Sequence, residues 1–336
     1  MRNDIVKEFP NHPNFTDDAV AQAVAAISAE TGFVSADHEI QRRFIYDRNK
    51  TWRVRIEGTF QGKKAILRVE NLKLEVDEEM IRQKFRLQAA GSKVRPPMTY
   101  ATQPFDEAKG YAYSIDEFVD GEALFLPTMQ PERPARDFVR FYRELRGAVT
   151  KPFWPQADAD AEVYSKAQLD KWTELARSQD PELVTRHEPL LGKLRAAILA
   201  GMHGRTLGFV HPHLAGTDVR FKRAEGEYIV FANHFWGWRQ PGYDLAFPIW
   251  GQWMALPVGH RTHENVASIT DAWTARITDE LSGFVLPEAV RVMLLNRVYG
   301  SLILDLPALS RREGETAESV APLIAAFIAE GERLLA

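Results

Sequence analysis

Two textures of hydrophobic patterning divide the chain. Near the start, TDDAVAQAVAAISAE offers Thr16 as a helix N-cap, and Val20, Val24 and Ile27 repeat at helical spacing. From about residue 40 to 70 the period falls to two. Trp52, Val54 and Ile56 alternate with Arg53, Arg55 and Glu57, which predicts antiparallel strands turning near Gly58 and Gly62. A helix is expected over roughly 77–90, capped by Asp77 and closed by Gly91. Two more strand-like runs follow, KVRPPMTYA and YAYSIDEFV. The predicted order is helix, three strands, helix, two strands.

Beyond VDGEALFLPTMQPERP the period becomes helical. Residues 135–149, 162–177 and 182–203 carry apolar positions three and four apart, as Phe138, Phe141, Tyr142 and Leu145 do in the first. One interruption stands out: Val219–Phe221 and Tyr228–Phe231 flank a polar RAEGE turn, a small predicted hairpin. Helices resume to the end. The expected organisation is an N-terminal lobe over 1–118, a linker over 119–134 and a helical C-terminal lobe over 135–336.

Composition narrows the function classes. The 336 residues are 45% hydrophobic and 26% charged, a globular balance with room for two lobes. A net charge of −4 and a pI near 6.2 predict no general attraction to nucleic acid or to a membrane. The absence of cysteine excludes disulfides, thiolate metal sites and cysteine nucleophiles. No stretch of about 18 apolar residues is uninterrupted, since SLILDLPAL is broken by Asp305 and Pro307. With no signal-like N-terminus, a cytoplasmic location is expected.

The chemistry concentrates in HPHLAGTDVRF, residues 211–221, and in FWGWRQPGYDLA, residues 235–246. The first resembles the catalytic loop of the aminoglycoside phosphotransferase and choline kinase family, HGDLHPGNVLF, matching at His211, Leu214, Val219 and Phe221. The second resembles that family's IDWEFAGWGDPAYDLA, matching at Phe235, Gly237, Trp238, Pro241 and Tyr243 to Ala246. Ala232 follows His213 by nineteen residues, the family's spacing between its base and metal-binding aspartates. KAILR resembles the third-strand lysine motif, and YSIDEFVDGEAL the passage into the linker, with Glu117 in it. The resemblance implies an α+β, two-lobed protein kinase-like fold, with a small antiparallel-sheet N-lobe and a mostly helical C-lobe.

It also implies a damaged active site. His213 stands at the catalytic base, Asp218 at the second metal ligand, Ala232 at the main metal-binding aspartate, and Arg68 at the third-strand lysine. Glu78 or Glu79 is placed to pair with Arg68. Scaffold positions persist: His211 opens the loop, and Asp244 is expected to accept hydrogen bonds from the backbone around His211–His213. Since phosphoryl transfer depends on metal carboxylates and a positioned base, binding of ATP/Mg²⁺ is expected to be weak or absent. Arg68, Glu79 and Glu117 are the residues left to hold a nucleotide, with Asp218 as a weak metal ligand.

Three readings follow. The first is a pseudokinase-like binding or regulatory protein for a small-molecule or protein ligand. The second is an active phosphotransferase of hydroxylated small molecules with unusual ligands. The third is a metal hydrolase built on His211-x-His213 with Asp218 and His234. Trp236 and Trp238, with Tyr243, Trp250 and Trp253, are core or pocket wall, Trp236 being the one expected to face the cleft. Nine basic residues between Arg42 and Arg68 form either an anion-binding sheet face or a solvated one.

Overall fold

The structure, a computed structural model, describes residues 6–7, 17–36, 42–46, 51–71, 78–156, 160–311 and 314–336. The caps expected at Thr16 and Asp77, the basic residues Arg48 and Lys50, and the side chains of Arg42, Arg43 and Trp52 lie outside what is described. By internal packing the chain divides into two compact units, residues 1–87 with 95–121, and residues 88–94 with 122–336. Residues 122–134 of the expected linker thus pack within the second unit.

In the first unit the five expected strands form one antiparallel path. Arg42–Tyr46 pairs with Thr51–Phe60, then Lys63–Glu70, Tyr111–Glu117 and Thr99–Asp106. Two-residue strands at Val6–Lys7 and Val34–Ser35 extend the sheet. The alternation is visible in burial, with Val54, Ile56, Leu67, Val69 and Ile115 all at 2% exposure or less. The helix Asp17–Thr31 lays Val20, Val24 and Ile27 into the same cluster. The inserted helix spans Glu78–Gln88, and Gly91 beyond it takes φ +80°, which only glycine adopts without strain.

The second unit is helical. Glu132–Ala148, Ala161–Gln179 and Pro181–Met202 occur where the period of 3.6 put them. Their partners include Tyr243–Met254, His263–Leu281 and Ala317–Leu335. Phe138 meets Trp273 at 5.3 Å and Trp253 meets Phe327 at 5.3 Å, in the middle of the core. The segment Pro287–Leu309 is long and apolar enough to cross a membrane, contrary to the expectation from its broken apolar run, yet 78% of its apolar window is buried in the fold. It changes winding at Ser301–Asp305, where a π turn is closed by the Leu306 amide donating to the Ser301 carbonyl.

Candidate functional site

A two-strand ladder brackets the loop. Gly208–Val210 pairs antiparallel with Gly237–Arg239, and the hairpin Val219–Lys222 with Glu227–Val230 carries the chain back. Leu214 is fully buried and anchors the turn. His211, 1% exposed, donates from Nε2 to the Phe231 carbonyl at 3.1 Å, tying the loop's start to the residue before Ala232. Its Nδ1 is buried and meets no donor, so the ring is neutral, and burial holds its pKa well below 6.5, at about 4.

His213 faces outward, with its side chain 37% exposed. Its ring lies flat on Phe235, centroids 4.3 Å apart, and Phe247 stands 4.6 Å away. Nδ1 is 2.9 Å from Asp218 Oδ2, which also accepts the Ala215 amide at 3.1 Å. Burial pushes the Asp218 carboxyl up. The hydrogen bond from His213, the attraction to either histidine when it is protonated, and the Ala215 amide outweigh this, and its pKa is lowered. The carboxylate is therefore ionised and accepts from His213, so in the neutral ring Nε2 keeps its lone pair.

Ala232 takes φ +54° and ψ 38°, the left-handed region. An alanine there is strained by about 1 kcal/mol, whereas aspartate and asparagine adopt it more readily. The backbone at this position suits an aspartate better than the residue it carries. Neighbouring Asn233 turns inward, donating to the Val230 carbonyl at 2.8 Å and accepting from Trp236.

The loop does not fit a magnesium ion. Ala232 has no side-chain oxygen, and Asp218 Oδ2 already accepts from His213 and the Ala215 amide. Among the described residues no three histidine, aspartate or glutamate side chains are gathered in metal-ligand geometry, and His211 and His213 bond to different partners. The histidine-x-histidine metal site is not assembled.

Asp244 differs from its expected role. It is 3% exposed and accepts from the Tyr142 hydroxyl at 2.6 Å and from the amides of Asp244 and Leu245, not from the His211–His213 backbone. It lies in the first turn of its helix. Gly242, just before that helix, sits at φ +82°, and a Cβ there would lie 2.7 Å from the Ala289 backbone.

Trp236 is also corrected. It is 3% exposed, stacked on Phe209 at 5.6 Å and edge-on to His211, so it belongs to the core. Trp238 is half-buried, 5.7 Å from Phe209. Trp250 does meet a cation, but an internal one: the Arg297 guanidinium lies 3.9 Å from its ring centre, with Phe247 and Tyr243 beside it.

Within the first unit, Arg68 is 8% exposed and donates to Glu78 at 2.8 Å. Burial pulls its pKa down, but Glu78, Glu70 and Asp116 prevail and raise it. Glu78, not Glu79, is the partner: Glu79 accepts from Thr99 at 2.5 Å and bonds to Arg86. Arg82 extends the cluster to Glu78 at 3.1 Å and Asp116 at 2.6 Å. Glu117 accepts both Arg95 nitrogens, at 2.7 and 3.0 Å, and the Met98 amide. The basic sheet face is partly internal too, since Arg53 is buried against Glu70 while Lys63 and Lys64 are exposed.

Sequence reading missed the His213–Asp218 contact. Residues five apart in an irregular loop have no period to betray it. The only signal was that both departures fall on one loop.

With strand order, inserted helix and looped hairpin in place, the chain has the two-lobed, protein-kinase-like fold of the aminoglycoside phosphotransferases. The solved structure of aminoglycoside phosphotransferase APH(4)-Ia superposes with a TM-score of 0.55, at 12% identity, over 95% of this chain and 98% of that one. A thermostable mutant of that protein, in ternary complex with AMP-PNP and hygromycin B, gives 0.56 at 12% identity, over 93% and 97%. A Ralstonia eutropha JMP134 protein described as an aminoglycoside phosphotransferase gives 0.50 at 16% identity, over 94% and 98%. No protein-family model matches the sequence, and neither does any curated protein.

Proposed function

We propose that this is a kinase-fold protein of pseudokinase-like character. It binds a small-molecule or protein ligand, or regulates one, without magnesium-dependent phosphoryl transfer. Ala232 carries the reading. It stands in a left-handed backbone conformation suited to aspartate, at the position the resemblance assigns to the main metal-binding carboxylate, and its side chain has no oxygen. A positioned base and metal charge compensation each matter greatly here, the base alone contributing roughly 100- to 10,000-fold. The test is ATP binding followed calorimetrically with and without Mg²⁺. Wild type should show no magnesium-dependent binding. The triple variant His213→Asp, Ala232→Asp, Arg68→Lys should gain it. Tight magnesium-dependent binding or robust turnover by the unmodified protein overturns the proposal.

A second reading is favoured by one observation. A carboxylate on Nδ1 and an open Nε2 is the arrangement of an oriented general base, and His213 with Asp218 has it. On this reading the chain activates a hydroxyl or water by proton abstraction at His213 Nε2, with no metal carboxylates. Turnover by wild type that vanishes in His213→Ala, and falls steeply in Asp218→Asn, would establish it.

A further inference from the structure

The second unit carries a groove that no part of the loop chemistry uses. Its volume is about 710 Å³. One wall is the extended segment Glu122–Thr128, the other the start of the helix Glu132–Ala148, and the floor holds Phe221 and Tyr228, whose rings lie 4.8 Å apart.

Charge in the groove is unbalanced. Arg133, Arg136 and Arg140 sit at positions i, i+3 and i+7, on one face of the helix, and Arg223 faces them from the hairpin. Only Glu122 and Asp137 oppose these four arginines among the lining residues. Glu122 is spent on Arg223, with both oxygens bonded at 2.9 and 2.8 Å. Asp137 stands 3.8 Å from Arg133 and 3.9 Å from Arg136, beyond hydrogen-bond range, so one carboxylate is shared between two guanidinium groups. Arg140 has no carboxylate within ion-pair distance among the described residues. The surplus is local, in a chain whose net charge is −4. Leu126, in the same wall, leaves 45% of its surface exposed.

We infer that this groove docks an extended acidic peptide of another protein, its carboxylates on the arginine row and an apolar side chain against Leu126 and the aromatic floor. Arginine forks match carboxylates bidentately, and alternating side chains of an extended segment would address the charged row and the floor in turn. The chain's overall negative charge disfavours a polyanion as long as a nucleic acid. The docking wall is also mechanically linked to the loop. Gly216 lies so close that a Cβ on it would stand 2.7 Å from the Leu124 carbonyl and 2.9 Å from that of Phe125, whose own φ is +39°.

The probe is a fluorescein-labelled decapeptide of alternating glutamate and leucine, read by anisotropy against the full-length protein. A lysine–leucine peptide and a labelled single-stranded oligonucleotide are the controls. The acidic peptide should bind, weaken at high salt, and weaken about tenfold or more in the double variant Arg136→Glu, Arg140→Glu. Both arginines are exposed, and circular dichroism should show that variant folded. A separate Leu126→Gln variant should lose affinity without changing the salt dependence. No binding, equal binding of the lysine peptide, tighter binding of the oligonucleotide, or affinity unmoved by charge reversal would each overturn the inference. So would concentration-dependent self-association removed by the same reversal, which would assign the groove to a second copy of this chain.

Discussion

Lowering the pH should unfold this protein partly through one side chain, His211. Its ring is 1% exposed, donates to the Phe231 carbonyl, and is held at a pKa of about 4 against an ordinary 6.5. The unfolded chain takes up a proton on this histidine near its ordinary value, while the folded chain refuses it until about 2.5 units lower. Stability from this group is therefore complete above pH ~6.5 and is lost as the pH falls toward ~4. At 1.36 kcal/mol per unit the full loss is about 3 kcal/mol, most of it by about pH 4.5. Asp218, whose pKa is lowered, adds a loss of the same sign at lower pH. The measurement is therefore a difference. Urea unfolding is followed from neutral pH downward for wild type and for His211→Gln, whose amide can still donate to Phe231 but does not titrate. The wild-type advantage should shrink by about 2–3 kcal/mol over that span. A difference that stays flat would mean that His211 is not a buried neutral ring, and the loop geometry built on it would fall.

Four further outcomes are expected. Asp218→Ala leaves the Ala215 amide and the His213 ring without their acceptor and should cost about 1.5–3 kcal/mol in chemical denaturation. Arg68→Ala opens a buried ion pair and should cost about 3 kcal/mol, the low end for such pairs because Arg82 still reaches Glu78. Gly242→Ala drives a Cβ against the Ala289 backbone at a positive φ, and should lower thermal stability by more than about 2 kcal/mol. Ala232→Gly should do the reverse, relieving left-handed strain and raising stability by up to about 1 kcal/mol; a clear loss would refute the strain argument.

The sequence made the architecture legible where burial is periodic. Val54 and Ile56 alternate with their neighbours because one face of their strand is buried, and Phe138, Phe141, Tyr142 and Leu145 repeat because one helix stripe is. Periodicity stops at the resolution of a face. It could not choose between Glu78 and Glu79, which differ by one residue, about 100° around the helix, and so face Arg68 and Arg86 respectively. Nor could it seat Trp236, whose partners Phe153 and Phe209 come from distant segments. Asp244 found its partner in Tyr142, 102 residues earlier, a pairing that no local spacing records. Motif spacing marked out the loop as a unit. The bond between His213 and Asp218 joins two positions at which the loop departs from the pattern it resembles, which a position-by-position comparison counts as two separate losses.

The π turn at Ser301–Asp305 has a consequence for phase. It is an α-helix that carries one residue more than its neighbours need, closed by a bond spanning five residues. Ser301 and Asp305 hydrogen-bond to each other there, and the serine also accepts from Trp250, beside the stacked Arg297. Substitutions inside the turn change chemistry but keep count. Excising a single residue there would restore ordinary winding and leave the buried Leu306 and Leu309 facing the core, because the wider turn already absorbs the extra residue's rotation of about 100°. This element therefore tolerates a one-residue deletion that, in the regular turns of the same helix, would swing every later side chain off its face. An alignment that forbids a gap at 301–305 would bring its last turn, Leu306–Leu309, out of register with any relative whose helix is wound regularly.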